Sequence, residues 1–105
     1  MDLDDVRRFA LSLPGTSERP HHDLTSFRVG TAIFATVPRQ AEQLHVFVAE
    51  EDVHAAVAEY PEAFAELWWG KRLSGVRVTL ASAPADLVRE LLEDAWRRKA
   101  PKRLL

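Results

Sequence analysis

The sequence predicts an α+β domain, a two-layer sandwich in which an antiparallel sheet carries the terminal helices on one face. Three observations predict it. Apolar residues recur at helical spacing at both ends of the chain, runs of period two fill the interval, and Pro or Gly marks the changes of pattern. A length of 105 residues is enough for one hydrophobic core and too little for two, so residues 1–105 are read as a single domain.

Leu3, Val6, Phe9, Ala10 and Leu13 form the stripe of an opening helix, with Asp2 placed to cap it, Asp5 in its first turn and Pro14-Gly15 ending it. Residues 16–23 are polar and interrupted by Pro20, which suits a connection or a frayed edge strand. Thr25 to Val29 and Ala32 to Val37 are β-rich runs joined by Gly30-Thr31, the signal of a two-residue type II′ hairpin. Such a turn sets a register. Val29 faces Ala32 and Phe27 faces Phe34 on the core side, while Arg28 faces Ile33 and Ser26 faces Ala35 on the other.

Leu44, Val46 and Val48 alternate with His45 and Phe47 in a third strand. Glu50, Glu51 and Asp52 then open a helix with the stripe Val53, Ala56, Val57 and Tyr60, closed by Pro61, and residues 62–67 are expected to add another turn. Trp68-Trp69-Gly70 begins a short strand or turn, and Val76, Val78 and Leu80 alternate with Arg77 and Thr79 in a further strand. Pro84 lies in the first turn of a long helix that buries Leu87, Val88, Leu91, Leu92, Ala95 and Trp96 and ends before Pro101. With all helices on one side, the other sheet face carries Arg28, Ile33, His45, Phe47 and Arg77.

Composition excludes several classes. The absence of cysteine rules out disulfides, thiolate nucleophiles, zinc-thiolate sites and iron–sulfur clusters. Asp2, Asp4 and Asp5 stand where a signal peptide needs positive charge, and no apolar run approaches the ~20 residues of a membrane span, so a cytoplasmic location away from membranes is expected. No phosphate-cradling loop exists among the 4 glycines, and Ser12, Ser17, Ser26, Ser74 and Ser82 occupy positions typical of structural serines. With no nucleophile beside a base and no catalytic residue to nominate, the chain is expected not to be an enzyme.

Charge is unevenly spread. Residues 1–66 hold 5 basic and 12 acidic groups, net −7, whereas residues 67–105 hold 9 basic and 4 acidic, net +5. Arg97, Arg98, Lys99, Lys102 and Arg103 fall within seven residues without an acid, although a helix C-terminus attracts cations for its own reasons. Of Trp68 and Trp69, alternation allows only one to face a core; the structural expectation is that one packs under Trp96 and the other caps the sheet edge. His21, His22, His45 and His54 lack the spacing of a zinc or iron site, so no metal ligand and no cofactor are assigned.

Ser26-Phe27-Arg28-Val29-Gly30 followed by Ile33-Phe34-Ala35 resembles the hairpin of the MmcQ/YjbR-like family of small bacterial proteins. Leu11-Ser12-Leu13-Pro14-Gly15, Tyr60-Pro61-Glu62-Ala63-Phe64, Trp69-Gly70-Lys71-Arg72, Val76-Arg77-Val78-Thr79-Leu80 and the segment from Asp94 to Leu104 resemble that family's other motifs in the same order. The chain departs from the pattern at Ala32, where a lysine is usual, and at Leu73-Ser74-Gly75, where Gly-Trp is frequent. The resemblance implies a fold similar to that of the bacterial frataxin homologue, described as a double wing, and a role in binding DNA. It supplies no catalytic residues.

Resemblance and charge together nominate a DNA site in which Lys71, Arg72, Arg77, Lys102 and Arg103 contact phosphates, Arg28 assists from the open sheet face and Trp69 stacks on bases. The chain is expected to act as a monomer. Two other readings compete. One is a protein-interaction or small-ligand module using the face around Ile33 and Phe47. The other is frataxin-like iron binding through Asp2, Asp4 and Asp5 or Glu50, Glu51 and Asp52, acids that helix N-termini favour in any case.

Overall fold

The computed structural model of the chain describes residues 1–40 and 42–105. In chain order the elements are α1 (Leu3–Ser12), β1 (Thr16–His21), β2 (Leu24–Val29), β3 (Ala32–Val37), β4 (Gln43–Val46), α2 (Glu50–Glu59), β5 (Phe64–Trp69), β6 (Arg72–Thr79) and α3 (Ala85–Lys99), followed by a 3₁₀ turn at Lys102–Leu104. The strands form one antiparallel sheet in the order β1-β2-β3-β4-β6-β5.

Local chemistry explains the elements that were legible. The Asp2 carboxylate accepts from the Asp5 N–H at 2.9 Å and the Asp5 carboxylate accepts from the Asp2 N–H at 3.0 Å, a capping box that starts α1. That backbone donor, with the Arg8 guanidinium after it, holds the Asp5 carboxyl below the usual carboxylate range. Gly30 supplies the φ of +61° at the β2–β3 turn.

Helices α1, α2 and α3 cover one side of the sheet. Val6 and Ala10 of α1, Val53 and Ala56 of α2, and Val88, Leu92 and Ala95 of α3 meet Phe27, Phe34, Leu44, Val46, Phe64, Val76 and Val78 in a single buried cluster. At the two sheet edges Glu18 and Glu66 lie on the helix side. Glu18 accepts from Arg7 of α1 at 2.8 Å, and Glu66 faces His54 of α2 at 3.6 Å. Among the described residues no helix is long and apolar enough to cross a membrane.

Three expectations are corrected, and a fourth is decided in favour of the edge strand. Residues 16–21 are a full strand, paired with β2 along their length; Glu18, Arg19 and Pro20 keep it polar because it is a sheet edge. Residues 64–69 are not a helical turn but the other edge strand, whose alternation is masked by Glu66 and by a register shift after Leu67. The β2–β3 register holds at Val29↔Ala32 and Arg28↔Ile33, then a bulge at Phe34 shifts it, so that Phe27 pairs with Ala35 and Ser26 with Thr36. Neither Trp68 nor Trp69 lies under Trp96: they are 51% and 81% exposed, because the β5–β6 hairpin runs past the end of β4. Trp96 instead donates its indole N–H to the Pro14 carbonyl at 2.9 Å.

Candidate functional site

The uncovered side of the sheet is organised by register. One row crosses all six strands: Arg19, Ser26, Thr36, His45, Arg77 and Ala65 are successive cross-strand partners. Diagonally over this row runs a groove of about 610 Å³. It starts at His21 and Leu24 of the β1–β2 hairpin, passes Thr36 and His45, and ends at Phe47 and the β5–β6 hairpin.

Two bulges shape its far end. On β3 the extra residue is Phe34, whose carbonyl accepts from the Phe47 N–H at 3.1 Å. On β6 it is Ser74, whose hydroxyl donates to the Leu67 carbonyl at 3.1 Å. Bulges bend and twist the strands that carry them, which brings the hairpin tip and Phe47 to a common groove. Gly75 makes the crossing possible, since a Cβ there would lie 2.2 Å from the Val46 carbonyl oxygen.

The walls are aromatic and aliphatic: Phe47, Leu67 and Trp69 belong to the bare face, and Trp68 and Leu73, cross-strand partners on the Glu66 side, reach the groove at its end. The charges are of one sign. Arg72, Arg98 and Lys99 line the groove and, among the described residues, no carboxylate does. Arg98 is fixed by donating to the Phe47 carbonyl at 2.7 Å. Behind it, burial and then Asp94 and Glu51 hold the Asp52 carboxyl above the usual carboxylate range, with Arg98 pulling the other way.

The cations of the chain divide by location. Arg7, Arg8, Arg39, Arg89 and Arg97 are paired with carboxylates. Among the described residues no carboxylate lies within ion-pair distance of the other nine, Arg19, Arg28, Lys71, Arg72, Arg77, Arg98, Lys99, Lys102 and Arg103. Seven of these nine lie on the bare sheet face, at the β5–β6 tip or at the end of α3 next to it, and Lys102 and Arg103 lie apart on the 3₁₀ turn.

The residues nominated from sequence are dispersed. Trp69 and Arg72 line the groove, and Arg77 flanks it beside His45 in a smaller depression with Gln40 and Gln43. Arg28 lies on the same face, its Nε donating to the Ser26 hydroxyl at 3.1 Å. Lys71 sits at the hairpin tip. Lys102 and Arg103 do not line the groove; their 3₁₀ turn places Leu104 against Gly15. Phe47, Leu24, Thr36, Arg98 and Lys99 join the groove although sequence did not nominate them for DNA. Among the described residues no group of three or more His, Asp or Glu gathers as a metal site; Asp2 caps α1, Asp4 and Asp5 lie in its first turn, and Glu50, Glu51 and Asp52 lie in the first turn of α2.

Burial pushes the His45 imidazole below the ordinary histidine range, and Arg77 beside it adds to the shift. The folded state thus takes up this proton at lower pH than the unfolded chain does. The residue's contribution to stability is complete above the unfolded value near 6.5 and is lost as pH falls below it. Urea unfolding at about pH 7.5 and about pH 5.5 is expected to show a larger drop for the parent than for His45→Gln. Equal drops would remove His45 from the pH response.

A six-stranded antiparallel sheet with three helices behind it and a cationic, aromatic groove in front defines a small two-layer α+β domain. The chain belongs to the YjbR family, whose family model matches residues 11–98. The fold is similar to the crystal structure of Deinococcus radiodurans protein DR2400, which carries a DUF419 domain. The TM-score is 0.81 at 23% identity, over 98% of this chain and 84% of that one. No curated protein matches the sequence significantly.

Proposed function

We propose that this domain acts by binding DNA through the bare face of its sheet, without catalysing a reaction. The observation that carries the reading is the groove itself, which Arg72, Arg98, Lys99 and the exposed Trp69 line, with no carboxylate among its described lining residues. Phosphate neutralisation by Lys and Arg supplies most sequence-independent affinity, and exposed aromatic rings supply stacking surface. A net charge of −2 opposes binding over the molecule as a whole, so the local field at this face has to do the attracting. Arg28, Arg77 and Lys71 extend that field over the same face and the hairpin tip, and Lys102 and Arg103 contribute at longer range.

Fluorescence anisotropy of a labelled oligonucleotide at about 50 and about 200 mM salt tests the reading, because phosphate contacts weaken as salt rises. Arg72→Ala is expected to lower affinity several-fold and to reduce the salt slope by about 0.7 for a single strand. Arg89→Ala, which removes a cation of α3 that is paired with Asp86, is the control expected to do less. An Arg72→Ala variant with unchanged affinity and slope contradicts the placement, and absence of binding at the lower salt removes DNA as the ligand.

A further inference from the structure

We infer that the groove takes an unpaired DNA strand in preference to a duplex, seating bases against Trp69 and Phe47 and phosphates at Arg72, Arg98 and Lys99. The inference rests on the DNA reading above and narrows it to one form of the ligand. A duplex hides the faces of its bases in the stack and offers phosphates along its outside. The groove has the opposite layout: its walls are apolar and aromatic, and its cations gather towards one end. Rings facing such walls have value only for bases that are free to leave the stack.

Size points the same way. A volume of about 610 Å³ lies in the range of sites that enclose a small organic ligand, which suits roughly one or two nucleotides at a time. A ligand of that size needs its charge and its flat surface met together. The Arg98 guanidinium is held at Phe47 by its bond to the Phe47 carbonyl, so a cation and an aromatic residue meet in the same part of the lining. Farther along, the hydroxyl of Thr36 and the imidazole of His45, cross-strand partners, present donor and acceptor groups of the kind that base edges use.

The choice of DNA over RNA follows from the lining. Leu24, Leu67 and Leu73 leave much of the wall unable to hydrogen-bond. A deoxyribose loses nothing against such a wall, whereas each ribose would bring a 2′-hydroxyl that needs a partner when buried.

The test is a comparison of four labelled probes of equal length by anisotropy: a thymidine strand, the same strand with abasic sites at its centre, a DNA duplex and a uridine strand. The thymidine strand is expected to bind roughly 10-fold more tightly than the abasic strand and than the duplex. Phe47→Leu keeps an apolar side chain of similar size and removes the ring. It is expected to weaken the thymidine strand while leaving the abasic strand unchanged. Equal binding of abasic and thymidine strands overturns the seating of bases and leaves the phosphate reading standing. Tighter binding of the duplex overturns the choice of strand, and tighter binding of the uridine strand overturns the choice of DNA. Failure of all four probes to bind overturns this inference and the DNA reading with it.

Discussion

Replacing Gly75 by alanine is expected to lower stability by roughly 3 kcal/mol, and by more if the neighbouring strand cannot yield. A Cβ at this position would lie 2.2 Å from the Val46 carbonyl oxygen and 3.0 Å from the Phe47 Cα. Both are backbone atoms, so no side-chain rotation relieves the contact. The chain at Phe47 is held from its other side by the bond from its N–H to the Phe34 carbonyl, which leaves little room to retreat. In a domain of this size such a loss corresponds to a fall in Tm of about 10–20 °C. Thermal and urea unfolding of Gly75→Ala measure it directly. A midpoint equal to that of the parent would mean that β4 and β6 part there at no cost, and that the groove is not shaped by their close approach.

The features that sequence revealed are those set within a few residues. Asp2 and Asp5 announce α1 because the cap they form spans one turn, and Gly30 announces the hairpin because the turn needs its positive φ. The register of that hairpin was legible for the first two pairs and then failed at Phe34. Phe34 and Ala35 are both buried, and the bulge that buries them serves a bond to Phe47, thirteen residues on. No local pattern contains that requirement. Strand β5 was hidden for a related reason: Glu66 lies on the helix side because it is at the sheet edge, facing His54, and it reads in the sequence as a break in the apolar alternation.

The site was legible by residue type and illegible by address. Trp69 and Arg72 are recognisable as an exposed aromatic and a cation beside it, and both reach the groove. Among the five cations near the C-terminus, sequence cannot say which face each occupies. Arg97 turns to Glu93 and Asp94, one turn back along α3, and so is spent within the helix. Arg98, its neighbour, reaches Phe47 on a different element fifty-one residues away. Lys102 and Arg103, the most obviously basic pair outside the helix, follow Leu104 towards Gly15. Helix phase and the packing of one leucine therefore decide which charges line the groove.

Trp69→Ala is expected to separate binding from folding more cleanly than any other single change. The side chain is 81% exposed, so its loss should leave stability within about 0.5 kcal/mol of the parent. Stacking on one base contributes about 1–3 kcal/mol, and affinity for a single strand should therefore fall roughly 5- to 150-fold. Trp68→Ala is a different experiment. Its indole N–H donates to Glu66 at 3.2 Å, and Glu66 also faces His54, so truncation there disturbs the packing of α2 against β5 as well as the groove. The salt dependence distinguishes the mechanisms at the tip. Trp69→Ala removes no charge and should lower affinity by the same factor at every salt concentration, whereas Arg72→Ala should flatten the salt slope. A Trp69→Ala protein that binds a single strand as tightly as the parent would place the ligand away from the hairpin, and the exposure of two adjacent tryptophans would then need a different partner.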